Sequence, residues 1–366
     1  MKVAIVCDWL TNVGGAERVL KTIHDMFPDA PIFTSKYDKK GIDWFKNADV
    51  RTGWLQVFPT SFRRILGPLR QSYFNHLDLS NFDIIISVTG AEAKSIKKGN
   101  AIHFCYCHVP TQYYWQFYDS YIKNPGFGFL NPLVRFFFKI LVKPLRKADL
   151  KAAQKPDYYI TISSYAAKLI KKYYHRDAII IHPPVDVEGF RGDEKQKRPE
   201  VIKNFIITSR QVNWKRIDLA IEACKKTNSN LTIVGVGPEH NRLVKLAEKS
   251  PLITFKPQMA KNELKNELKK SDGFIFPSLE PFGIAPIEAL ATGCPVIAFE
   301  EGGALDYIEE GKNGVFFKKQ TVDSLASAIN RFKNIEFKTA DIVKSAEKFD
   351  EKIFEEKIRK FINEKQ

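Results

Sequence analysis

Glu280 and Glu288 stand eight positions apart around the turn Pro281-Phe282-Gly283-Ile284-Ala285-Pro286. The apolar run Gly273-Phe274-Ile275-Phe276 before the turn reads as a short buried strand, and Ile287 to Ala291 after it reads as a helix. The turn therefore opens a helix N-terminus, where free amides would face an anion and Gly283 would let it approach the backbone. Glu280 in the loop and Glu288 on the helix would then face the two ends of a sugar nucleotide. A second constellation, Thr208-Ser209-Arg210 ending a strand and Val212-Asn213-Trp214-Lys215-Arg216 preceding a helix, puts Arg210 and Lys215 in one loop. A planar donor fork and a point charge at a strand's carboxyl end suit a diphosphate, although a solvated basic turn reads the same way in a lysine-rich chain. Paired carboxylates also suit a glycosidase. In a hydrolase of plain glycosides, however, the phosphate-friendly turn and the Arg/Lys loop would be idle.

The elements that position these residues alternate. Lys2–Cys7, Ile84–Val88, Ile102–Cys107, Tyr158–Ile162 and Ile179–Ile181 read as strands, with helical patterns at Ala16–Met26 and Ser164–Tyr173. After His182-Pro183-Pro184-Val185-Asp186 the alternation restarts at Asn204 and continues to Val296–Phe299. The Pro-Pro segment and the charged stretch from Gly192 to Glu200 read as a linker. Glu347 to Asn363 reads as a charged amphipathic helix that needs a surface to pack on.

Taken in order, Ser209-Arg210, Lys215-Arg216-x-Asp218, Val234-Gly235-x-Gly237-Pro238-Glu239 and Glu280-x7-Glu288 resemble the retaining family 4 glycosyltransferases. Gly14-Gly15-Ala16-Glu17 and Cys105-Tyr106-Cys107-His108-Val109-Pro110, with the aromatic cluster that follows, are similar to bacterial mannosyltransferases that build O-antigen and other surface polysaccharides. The resemblance implies an α/β, GT-B architecture: two Rossmann-like domains facing each other across a cleft. Residues 1–184 would bind the acceptor, with the helix 347–366 packing back on them, and residues 185–346 would bind the nucleotide sugar. By the same resemblance Arg210 and Lys215 stabilise the departing diphosphate, Glu280 holds donor-sugar hydroxyls, Glu288 accepts from the ribose, and His108 lies near the donor sugar. The amides of Phe282, Gly283 and Ile284 would meet the donor phosphates and the backbone at Gly14 and Gly15 would approach them, while Glu17 either touches ligand or charges the first helix N-terminus. Attack from the front face, with the leaving phosphate taking the acceptor proton, requires no covalent nucleophile. GDP-mannose is the expected donor, with a UDP-hexose or UDP-N-acetylhexosamine as the alternative. Val236 departs from the family, which carries Asp there, and Gln258-Met259 near the base does not distinguish guanine from uracil. An alternative of another class is a non-catalytic sugar-nucleotide or polyanion-binding module, for which the combined Arg210, Lys215, Glu280 and Glu288 would be surplus.

The 366 residues exceed one comfortable core, and 44% hydrophobic with 27% charged residues suits a folded protein. Five scattered cysteines suit buried thiols in the cytoplasm. His103, Cys105 and Cys107 alternate in an apolar strand without the turn that lets thiolates converge on zinc, so no metal is expected and catalysis is expected to be metal-independent, with no cofactor. The net charge of +15 is uneven: residues 1–184 carry 26 Lys and Arg against 14 Asp and Glu. That excess suits an anionic membrane surface better than nucleic acid, because no zinc-finger or RNP pattern is present. Tyr113, Tyr114, Trp115, Phe117, Tyr118, Tyr121, Phe127, Phe129 and Phe136 to Phe138 precede or share a segment whose bases are Arg135, Lys139, Lys143, Arg146, Lys147, Lys151 and Lys155. Such a segment either lies peripherally on the inner face of the plasma membrane, near a polyprenyl-diphosphate-linked or glycan acceptor, or is a helix with its phenylalanines in the core.

Overall fold

The computed structural model describes residues 1–60, 66–123, 125, 128, 131–192 and 203–366; Phe127, Phe129 and all but the first residue of the expected linker at 192–200 lie outside them. The chain divides into two units, Met1–Pro184 with Phe354–Gln366, and Val185–Ile353.

The first unit is a parallel sheet of β1 (Val3–Cys7), β2 (Ile32–Thr34), β3 (Val50–Thr52), β4 (Ile84–Thr89), β5 (Ile102–Cys107), β6 (Tyr158–Thr161) and β7 (Ile179–Ile180), in the order β3-β2-β1-β4-β5-β6-β7. The second is a parallel sheet of β8 (Asn204–Thr208), β9 (Asn230–Val234), β10 (Ile253–Lys256), β11 (Gly273–Phe276), β12 (Val296–Phe299) and β13 (Gly314–Phe317), in the order β10-β9-β8-β11-β12-β13. Both are Rossmann-like. Parallel strands with helices on both faces are buried on both sides, which is why β1 and β4 are buried from end to end and read as continuous apolar runs. In the second unit Phe205, Ile207, Ile233, Ile275, Ile297 and Val315 from the strands pack with Ile221, Leu325 and Ile329 from helices.

Three strands, β2, β3 and β13, are absent from the sequence reading; β2 and β3 are three residues long, too short to show a period. The helix after the Gly283 turn starts at Ile284, three residues earlier than expected. Pro286 reads as a breaker, but in a first turn its missing N–H is one that has no intrahelical partner anyway. Of the amphipathic helix expected over Glu347–Asn363, Glu347 ends a first helix, Thr339–Glu347, and Glu351–Asn363 forms a second. Asp350 Oδ1 accepts from the Lys352 amide at 3.0 Å, as a capping residue does, and starts the second. Within the first unit that helix sets Phe354 edge-on against Tyr106, and Phe361 against Phe104 and Tyr158, each at 5.8 Å. The change of unit falls between Ile353 and Phe354, inside the helix, where the sequence reading put it at 346/347.

Candidate functional site

In the second unit β8 and β11 are neighbours, and the strand order runs outward from them in opposite directions. Open α/β sheets bind ligands at the carboxyl ends of strands at such a reversal. The loop leaving β8 carries Arg210 and Lys215, and the loop leaving β11 carries Glu280 and Gly283. The structure brings the two loops together: Lys215 Nζ lies 2.5 Å from Glu280 Oε1, and the same oxygen accepts from Ser278 Oγ at 2.6 Å. Ser278 is buried, so the carboxylate is held from beneath. Lys215 Nζ also stands 4.5 Å from the centroid of the exposed Trp214 ring. Arg210 is exposed at the tip of its loop.

Each loop is fixed by its neighbours, of which only the Gly235-Val236-Gly237 turn carried a signal in the sequence. Gln211 is fully buried, donating from Nε2 to Gly235 O at 2.6 Å and accepting at Oε1 from His240 Nδ1 at 2.9 Å. Its amide donates to Val236 O at 3.0 Å. A Cβ on Gly235 would stand 2.3 Å from Ser209 O, so the Gly235-Val236-Gly237 turn braces the Arg210 loop by close backbone packing. The 277–283 loop is held by Gly303 N donating to Glu280 O (2.8 Å), Tyr307 OH to Phe282 O (3.0 Å) and Gln320 Nε2 to Pro277 O (2.8 Å).

Three expected residues differ in setting from the sequence reading. Gly283, at φ 97°, precedes the Ile284–Ala291 helix, and a Cβ there would lie 2.6 Å from the Phe276 ring. Its glycine is thus demanded by backbone conformation and by packing from inside the unit, independently of any ligand. Phe282 is buried, its ring edge-on to Tyr307 and Phe349 at 5.8 Å. Glu288 is buried on the helix, which rules out a solvated helix-surface carboxylate. The amides of Gly283, Ile284 and Ala285 belong to the first turn and lack intrahelical acceptors by helix geometry, while Pro286 has no amide to offer.

In the first unit the reversal lies between β1 and β4. Asp8, which follows β1, is buried and accepts from Thr89 Oγ1 at both oxygens (2.9 Å each), from Gly90 N (3.0 Å) and from Ala93 N (2.8 Å). His108 follows β5, its amide donating to Thr89 O at 2.9 Å and its ring edge-on to Tyr106 at 5.6 Å. His108 Nε2 is enclosed with no hydrogen-bond partner among the described residues. Burial lowers the imidazole from its ordinary 6.5 to about 4, against an opposing pull from Asp8, so the ring is neutral near pH 7. Gly14 and the exposed Gly15 open the first helix, and a Cβ on Gly14 would stand 2.8 Å from Glu17 Oε2, so the Glu17 carboxylate folds back over this helix end. His103, Cys105 and Cys107 are buried on β5, with His103 Nε2 2.8 Å from Ser87 Oγ; among the described residues no group of three or more His, Cys, Asp or Glu could hold a metal ion.

Residues 191–352 match the model of the glycosyl transferases group 1 family. Similar curated proteins include an alpha-1,3/1,6-mannosyltransferase alg2 of Schizosaccharomyces pombe, 26% identical over 83% of this chain and 68% of that protein. Another is a GDP-mannose-dependent alpha-(1-6)-phosphatidylinositol monomannoside mannosyltransferase of Mycobacterium tuberculosis, 29% identical over 47% of this chain and 51% of that protein. Putative colanic acid glycosyltransferases WcaL from Salmonella typhimurium and Escherichia coli are matched over 40% and 54% of their length, so the chain spans about half of several of these relatives. Among solved structures, a lipopolysaccharide outer core galactosyltransferase WaaB superposes with TM-score 0.72 at 17% identity, over 100% of both chains. Anabaena Alr3699/HepE in complex with UDP does so with TM-score 0.72 at 18% identity, also over 100% of both. Residues 191–352, nearly all of the second unit, therefore match a group 1 glycosyltransferase domain, and the chain has the GT-B fold.

Proposed function

We propose that the chain transfers a hexose, mannose from GDP-mannose, to a lipid-linked or growing surface glycan, with retention at the anomeric carbon. The observation that carries this reading is the pairing of Lys215 with Glu280 at 2.5 Å across the β8/β11 reversal, in a loop that also carries the exposed Arg210. A cation poised between a strand-end loop and a helix N-terminus suits a diphosphate, and a carboxylate with its Oε2 taking no hydrogen bond among the described residues suits sugar hydroxyls.

In the reaction the bond between the anomeric carbon and the phosphate oxygen breaks while the acceptor oxygen bonds to the same face of that carbon. Its proton passes to the leaving phosphate. Arg210, Lys215 and the amides at Gly283 and Ile284 take up the charge that develops on that phosphate, which is where such groups gain most over their ground-state value. Glu288 is assigned to the ribose; in the first unit, His108 is assigned to the donor sugar and the Gly14-Gly15 backbone to phosphate. A neutral imidazole donates or accepts a hydrogen bond without adding charge, which suits a place beside an oxocarbenium-like centre. No metal is assigned to the mechanism, and the five free buried cysteines suit the reducing cytoplasm.

Mannose is favoured because the relatives include proteins named as mannosyltransferases. A UDP-hexose or UDP-N-acetylhexosamine is the second reading, supported by neighbours solved with UDP or UDP-glucose. Thermal melting with GDP, UDP, ADP and their sugars separates these. GDP-mannose at a hundredfold its dissociation constant should add about 2.7 kcal/mol. A larger shift with a UDP-sugar would transfer the reading to that donor, and no shift with any nucleotide would reject the site.

A further inference from the structure

The Asn131–Ala152 helix of the first unit is firmly held on one side. Asp149 is buried there and accepts from Lys94 Nζ (2.6 Å), Trp115 Nε1 (2.6 Å), Tyr174 OH (2.9 Å) and Thr111 Oγ1 (3.0 Å). Val142 is buried beside it in the helical projection, and Arg146 Nε donates to Tyr114 O at 2.6 Å. The opposite side is apolar where a surface helix should be polar. Leu133, Phe136, Phe137, Ile140 and Leu141 are 55%, 60%, 52%, 56% and 43% exposed. At 100° per residue these five fall within roughly 140° of arc, centred opposite Val142 and Asp149. Single exposed apolar residues are ordinary, whereas a continuous stripe marks an interaction surface.

Charge identifies the occupant. Lys139, Lys143 and Lys147 run at four-residue spacing along one edge of the stripe, all exposed and with no ion pair among the described residues. The helix's one acid, Asp149, is buried against Lys94, so the outward face carries positive charge alone. A second copy of the helix would bring more lysines and no carboxylate to meet them. Among the described residues no helix is long and apolar enough to cross a membrane, which leaves a helix lying in the interface plane.

We propose that this helix docks the first unit on an anionic phospholipid bilayer, with the five apolar side chains below the headgroups and the three lysines at phosphate level. The docking needs neither donor nor acceptor, so it stands or falls apart from the transferase reading. If both hold, the first unit meets a lipid-linked acceptor at the bilayer surface.

Flotation of the full chain with phosphatidylcholine vesicles, with and without a minority of phosphatidylglycerol, tests it. The expected result is binding to the anionic vesicles that weakens with salt. Phe136→Glu with Ile140→Glu should reduce it about tenfold or more, since each side chain loses an apolar burial. Lys139→Gln, Lys143→Gln and Lys147→Gln should each reduce it roughly fivefold. Both sets change exposed side chains, and unchanged hydrogen-exchange protection of Ile84–Thr89 and Ile102–Cys107 in the first unit would show the variants are folded. Equal recovery with both vesicle types, or none with either, overturns the proposal. So does a dimer in sedimentation velocity that Phe136→Glu dissolves without any vesicle binding, which would assign the stripe to a second copy.

Discussion

The two units share a topology but set opposite chemistry at the same topological point. At the β8/β11 reversal Arg210 is exposed and Lys215 partly so, with Glu280 as the lysine's partner. At the β1/β4 reversal the charged group is Asp8, buried and bonded to Thr89, Gly90 and Ala93. The second unit leaves its charges accessible; the first spends its carboxylate on holding two strand ends together. Fold therefore says where a site can be, and under the proposed function it is the accessible charges that assign the diphosphate to the second unit.

The sharpest way to break this comparison is Lys215→Ala. Removing one donor that acts on developing charge costs about a thousandfold in kcat, or about 4 kcal/mol. Lys215 is partly exposed and its loss leaves Glu280 bonded to Ser278, so the melting temperature should hardly move. Steady-state turnover with saturating donor measures it. Wild-type turnover in Lys215→Ala would show that the pair is structural, like Asp8, and the contrast would collapse.

The complementary change, Asp8→Ala, should act on stability. It strands the Thr89 hydroxyl and the Gly90 and Ala93 amides, and buried donors left without acceptors cost about 3 kcal/mol here in total. Because a chain of two units need not unfold in one step, hydrogen exchange is the appropriate readout. Protection should fall in Val3–Cys7 and Ile84–Thr89 and persist in Asn204–Thr208 and Gly273–Phe276. Loss spread evenly over both units would mean that Asp8 does not act locally.

The same contrast explains what the sequence made legible. The loops that carry Arg210, Lys215 and Glu280 were legible because each follows an apolar strand, and the family resemblance, more than the charge itself, singled those residues out. Asp8 and Gln211 were not legible, since each acts by being buried against partners 24 to 85 positions away, and Ser278, two positions from Glu280, was not because only the fold shows that it is buried beneath that carboxylate. Gly283 shows the intermediate case: the turn was legible, but its cause, the Phe276 ring behind it, depends on β11 passing beneath. The apolar stripe at 133–141 was visible as composition, yet only the helix's orientation separates a membrane face from a core face.

The smallest expected effect concerns His108, and its sign follows from linkage. Its folded imidazole titrates near 4 and the unfolded one near 6.5, so the unfolded chain binds the extra proton first as pH falls. The first unit should thus keep this group's contribution to stability above pH 6.5 and lose it as pH falls from 6.5 towards 4. His103, fully buried and lowered by burial to about 3, pulls the same way, so the wild-type slope contains both. His108→Gln removes one of them. Exchange protection in β5, followed from pH 7 to 4, should fall less steeply in this variant than in the wild type, while β8 and β11 show no difference between the two proteins. An unchanged slope would mean that the imidazole reaches solvent, and the case for a neutral ring at the β5 end would go with it.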